Sequence, residues 1–201
     1  VVEHSLTPCF RRSYSTIFKA INEMEMDEMA IAHLLAPYLP RPRQRPFWLL
    51  GMDGTSQPCQ FAATLADRGM VYQPNPIQDN KPVTIGHQYS TTVLLPEAEE
   101  GTSPSWVIPL TTRRVTTDED KELVGSGQID ALLKDSRLPF GQSLCVDVGD
   151  TSYSKPACLH ANRHHRHLVT IARIRRSRVL YRQFVPDPNE TKRPVGHPRS
   201  Y

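Results

Sequence analysis

The sequence predicts an α/β domain on a mixed sheet, a three-stranded meander followed by alternating helix and strand, with a helical segment ahead of it. Two short apolar runs, "FWLLGM" at 47–52 and "LCVDV" at 144–148, read as buried strands, and each is followed by an Asp next to a Gly. Two further strand-like segments lie between them, and from Thr116 onward helical and strand-like compositions alternate.

Taken in order, residues 14–38 carry apolar side chains at Ile17, Ile21, Met24, Ile31, Leu35 and Tyr38, nearly all three, four or seven apart, with acids between them. That spacing predicts one amphipathic helix or a pair of short ones. Pro40, Pro42 and Pro46 exclude helix and predict an extended basic linker, so 1–45 is read as a helical segment plus linker and 46–182 as the main domain. The run at 47–52 is a strand closed by an Asp53-Gly54 turn, whereas 54–82, polar and broken by Pro58, Pro74, Pro76 and Pro82, predicts a long loop. Segments 83–96 and 105–115 predict two strands joined by an acidic turn. Residues 116–136 predict a helix opening near Thr117, weakened by Gly125 and Gly127. "QSLCVDVGD" returns to strand, Ser154 and Pro156 open a short helix, and "HLVTIARI" is a fifth strand. This order of elements is that of a ribonuclease-H-like domain.

Composition narrows the class. Among the 201 residues, 38% hydrophobic and 22% charged content describes a globular chain with a core rather than a disordered one. No apolar run approaches the roughly 18 residues of a membrane-spanning helix, and no signal-peptide core opens the chain, so a cytoplasmic, nucleoid-associated protein without membrane partners is expected. Cys9, Cys59, Cys145 and Cys158 stand far apart, which argues against a disulfide scaffold or a zinc ribbon. Val at position 1 and a basic, Pro-rich run ending at Tyr201 suggest a fragment of a longer chain. From residue 163 onward ten Lys or Arg face two acids, a balance of +8, which leaves −5 on residues 1–162. A basic segment on an acidic body is the footprint of a nucleic-acid contact; a solvated basic face accounts for it equally well.

The carboxylates are the candidate chemistry. If the strands before Asp53 and Asp150 lie parallel and adjacent, their carboxyl ends meet at one sheet edge, where α/β sheets place ligands. Two carboxylates there suit Mg²⁺, which takes one or two carboxylates with water and phosphate oxygens. Read singly, each has a plainer role: Asp-Gly as a turn, Asp150 as an Asx-turn or cap, and Asp147 as a strand residue pointing opposite to Val146 and Val148. Cys158, His160 and His164 offer zinc-ligand types, but the histidines including His165 and His167 read better as basic surface. Cys145 reads as strand packing.

Four segments carry a family resemblance: "WLLGMDGTS", "IGHQYSTTVLLP", "VDVGDTSYS" and "RSRVLYRQF…KRPVGHPRSY". In this order they resemble the DDE transposases of bacterial insertion sequences, in the branch whose ribonuclease-H-like domain is interrupted by a β-rich insertion. The resemblance makes Asp53 the first catalytic aspartate and Asp150, followed by Thr151-Ser152-Tyr153, the second, with Asp147 as the alternative. It reads 183–201 as the start of the insertion, and it finds no counterpart of the family's third acid, so an incomplete, inactive catalytic centre is expected. It implies Mg²⁺ or Mn²⁺, two-metal cleavage and strand transfer at transposon ends, and a DNA partner at both transposon ends and target, with a homo-oligomer formed on DNA. Arg173, Arg175, Arg176, Arg178 and Arg182 are the expected backbone contacts, their alternative being ion pairs with the acids of 116–122. The competing readings are a non-catalytic DNA-binding remnant and another ribonuclease-H-like nuclease.

Overall fold

Six strands form one open mixed sheet in the computed structural model of the chain, which describes residues 14–24, 27–73, 82–98 and 106–179. The strands are β1 (Trp48–Pro58), β2 (Gly69–Tyr72), β3 (Val83–Leu94), β4 (Ile108–Val115), β5 (Cys145–Gly149) and β6 (Leu168–Ala172). The helices are α1 (Tyr14–Glu23), α2 (Ala30–Leu35), α3 (Lys121–Lys134) and α4 (Pro156–Ala161), with single 3₁₀ turns at Ala36–Tyr38 and Ser152–Ser154.

β1 pairs antiparallel with β3 and parallel with β5, and β5 pairs parallel with β6. On its other edge β3 holds β4 along residues 88–94 and β2 along residues 83–86. Read across the sheet, β4-β3-β1-β5-β6 is an antiparallel meander continued by two parallel strands, the ribonuclease-H-like arrangement expected from the order of elements. The parallel half needs helical crossovers, and α3 and α4 provide them.

One region departs from expectation. The predicted loop at 54–82 contains the second half of β1, which pairs Gly54 to Pro58 with Ser90 to Gly86, and the whole of β2. Its side chains are mostly polar, so no apolar alternation marks it as strand; backbone pairing to β3 holds it instead. Residues 74–81 and 99–105 lie outside the described residues, as does the expected insertion at 183–201.

Alternation along β1 sends Trp48, Leu50 and Met52 to one face, where α3 covers them with Ile129, Leu132 and Leu133. Leu94, Leu110, Phe140 and Cys145 complete this core, and Phe140 meets Trp48 edge-on with ring centroids 5.3 Å apart. Ala32 of α2 and Leu39 belong to the same cluster. The helix opens one turn later than predicted. Asp120, not Thr117, is its N-cap, accepting from the amides of Glu122 (3.0 Å) and Leu123 (3.3 Å). Thr117 instead donates its amide and hydroxyl to Asp67, each at 3.1 Å.

Gly125 and Gly149 have a packing reason. Tyr153, 1% exposed, lies between them: a Cβ at Gly149 would stand 2.7 Å from the tyrosine Cβ, and one at Gly125 would stand 3.0 Å from its ring. The two glycines let the ring reach the core beneath the loop that carries Asp150.

Candidate active site

The parallel register of β1 and β5 pairs Trp48 with Cys145, Leu49 with Val146, Leu50 with Asp147 and Gly51 with Val148. Asp53 stands two residues beyond Gly51, and Asp150 two residues beyond Val148. Both carboxylates therefore lie just past the paired segment of two strands about 4.8 Å apart, Asp53 within β1 and Asp150 directly after the last residue of β5. They line one shallow cleft of about 270 Å³ with Gly51, Met52, Val93, Val148 and Gly149. Among the described residues these two are the acids that line it.

Local hydrogen bonds fix both side chains. Asp53 Oδ1 accepts from the Gly54 amide at 2.8 Å, and Asp150 Oδ1 accepts from the Ser152 amide at 2.8 Å and from the Ser152 hydroxyl. Asp53 thus lies inside β1, opposite Thr91, and not in the turn expected at Asp53-Gly54, because β1 continues to Pro58 against β3; Asp150 heads the turn after β5. Burial works against ionisation of Asp150, but the Ser152 hydroxyl and amide, with the Lys121 ammonium nearby, hold its pKa below the usual carboxylate value. Lys121 opens α3 and reaches over Gly54: a Cβ there would lie 3.7 Å from its Nζ. The sequence reading missed Lys121, because nothing in its spacing shows that the helix start returns to the middle of β1.

Asp147 is in a different environment. Its partner in register is Leu50, and it shares the core face with Cys145, 1% exposed, with Oδ1 buried and unpartnered among the described residues. Burial pushes its pKa up, against the Thr170 side chain on β6, and burial likewise pushes the neighbouring Cys145 thiol up to about 12. Asp147 is therefore buried on the core face and is not among the residues that line the cleft of Asp53 and Asp150.

The sequence matches the family described as DDE superfamily endonuclease over residues 1–201. The chain belongs to that family. No curated protein matches it. Membership places this DDE superfamily endonuclease among nuclease-type enzymes that act on DNA, generally with divalent metal ions. The donor set of the cleft fits such an ion: hard carboxylate oxygens suit Mg²⁺ or Mn²⁺, and the cleft opens to solvent, where phosphate oxygens and water can complete the ligand shell.

The basic residues of this endonuclease flank the end of β6. Arg173, Arg175 and Arg176 are exposed, and among the described residues no ion pair joins them to an acid. The acids of 116–122 have other partners: Glu119 holds Arg113, and Asp120 and Glu122 hold Lys155 at 2.9 and 2.7 Å. Arg178 donates to the Ser154 carbonyl at 2.8 Å, and Arg182 lies outside the described residues. Cys158, His160 and His164 do not converge; Cys158 is buried and His160 contacts Arg163. Among the described residues no helix is long and apolar enough to cross a membrane.

Proposed function

We propose that this DDE superfamily endonuclease is part of a DNA transposase, in which Asp53, midway along β1, and Asp150, just after β5, hold Mg²⁺ or Mn²⁺. The observation that carries this reading is the shared cleft: two carboxylates, an equal number of residues past the last registered pair, lining one opening. When bound, the ion supplies charge stabilisation and activation of the attacking oxygen in phosphodiester cleavage and strand transfer. The chain's own residues then have distinct tasks. Gly54 and Ser152 orient one oxygen of each carboxylate and leave the other for the ion. Lys121 places a positive charge beside the pair, suited to a phosphate oxygen entering the cleft. Arg173, Arg175 and Arg176 hold the DNA backbone beyond β6, with Arg178 set against Ser154.

The local hydrogen bonds at both aspartates favour a second reading, a DNA-binding remnant in which Asp53 only serves its strand and Asp150 only shapes its turn. Manganese binding followed by electron paramagnetic resonance separates the two. The transposase reading expects saturable Mn²⁺ binding that Asp53→Ala and Asp150→Ala each weaken at least tenfold and Asp147→Asn leaves in place. Equal affinity in wild type and both alanine variants would eliminate it. The 201-residue chain is expected to join DNA strands poorly, because two carboxylates line the described cleft.

A further inference from the structure

A second group of ligand-type side chains lies away from the cleft, where α3 meets the loop between α4 and β6. The ligand atoms of Asp130, His164 and His165 all lie within 4.8 Å of one another. Nε2 of His164 stands 3.0 Å and Nε2 of His165 2.7 Å from the same oxygen, Asp130 Oδ1, and the two imidazole rings are 4.1 Å apart between centroids, tilted by 39°. Lys134 takes the other oxygen, Oδ2, at 2.7 Å.

We propose that Asp130, His164 and His165 form a binding site for a borderline-soft divalent cation of the Zn²⁺ type, chemically distinct from the carboxylate pair. Two nitrogens and one oxygen are a donor set for zinc rather than for magnesium, which prefers oxygen alone. Tetrahedral zinc with bonds of about 2.0–2.1 Å separates its donor atoms by about 3.3 Å, so the observed 3.0 and 2.7 Å need outward shifts of about 0.3 and about 0.6 Å, within the reach of side-chain rotation. Lys134 on Oδ2 leaves Oδ1 as the ligand and fixes the carboxylate's orientation.

The scaffold holds the donors in place without a metal. Asp130 sits on the long helix α3, and the loop is clamped to that helix by Asn162, whose buried side-chain amide donates to the Ser126 carbonyl at 2.9 Å. The His165 amide then closes onto the Asn162 carbonyl at 3.0 Å, and Leu168, the first residue of β6, donates to the His165 carbonyl at 3.3 Å. His164 is half exposed, so the fourth position opens to water, the pattern of a three-ligand zinc site. An ion bound there ties α3 to the entry of β6 and stabilises the edge beside β5.

The test is a Co²⁺ titration of the 201-residue chain read by the visible d–d absorption of tetrahedral cobalt, followed by displacement with Zn²⁺. One equivalent is expected in the wild type and equally in the Asp53→Ala/Asp150→Ala double variant, so failure of the carboxylate cleft leaves this outcome unaffected. His164→Gln and His165→Gln are each expected to weaken binding at least tenfold. No saturable tetrahedral band in the wild type, or wild-type affinity in His164→Gln, overturns the proposal. His164 is half exposed, so His164→Gln decides the matter even if His165→Gln fails to fold, with circular dichroism confirming an intact fold.

Discussion

Asp147 shows how one residue's environment sets its role. Its strand position makes it look like a partner for Asp53, yet alternation turns it into the core, where Oδ1 has no partner among the described residues. A carboxyl whose folded pKa lies above its unfolded value favours folding fully below the unfolded pKa and loses that contribution as pH rises through the folded pKa. Asp147→Asn, which mimics the protonated form, is therefore expected to stabilise the chain by about 1 kcal/mol at pH 7. The gain should shrink as the pH falls toward 4, as read by urea denaturation across that range. The site was partly legible from sequence for a related reason. Asp53 and Asp150 follow apolar strands and stand out, whereas Lys121 and Asp130 acquire their neighbours only through tertiary packing that no local spacing records.

At the scale of elements, the start of α3 is joined to the start of α4 by one cation. Lys155 meets Asp120 at 2.9 Å and Glu122 at 2.7 Å, and Glu122 is 4% exposed. Lys155→Met is expected to cost about 2 kcal/mol, less than a fully buried pair because Lys155 is partly solvated, since it leaves Glu122 inside with only the more distant Lys121 ammonium, at 3.9 Å, as counter-charge. A hydrogen bond with Glu122, then the Lys155 ammonium, holds the Asp120 pKa well below its ordinary value. Its contribution is present above the unfolded pKa and is lost as pH falls through the folded one. Acid unfolding of Lys155→Met, followed by circular dichroism, should accordingly begin at higher pH than in the wild type. Elements were legible where side chains announce them. Strands with apolar runs and the helix with its Leu and Ile spacing were visible; the far half of β1 was not, because its polar side chains give no period, and β2 was not, because its four residues, of which Val71 is buried, are too short a run to stand out in a Pro-broken segment.

At the scale of the molecule, charge and topology act together. The exposed Arg173, Arg175 and Arg176 follow β6, which pairs with β5, the strand that leads to Asp150, so on the proposed reading a DNA backbone held there lies beside the cleft. Neutralising all three to Gln is expected to reduce the slope of log affinity against log salt by about 2.7 on duplex DNA, at roughly 0.9 for each phosphate contact, as measured by fluorescence anisotropy over a salt series. An unchanged slope would place the DNA elsewhere. The registered pairing of β1 with β5 adds a constraint on how the chain can change in length. One residue inserted between Cys145 and Gly149 would reverse the parity of the strand beyond it and shift Asp150 by about 3.3 Å, while two would restore the parity but carry Asp150 about 6.6 Å too far along. The spacing from Cys145 to Asp150 therefore tolerates substitution far better than it tolerates any gain or loss of residues.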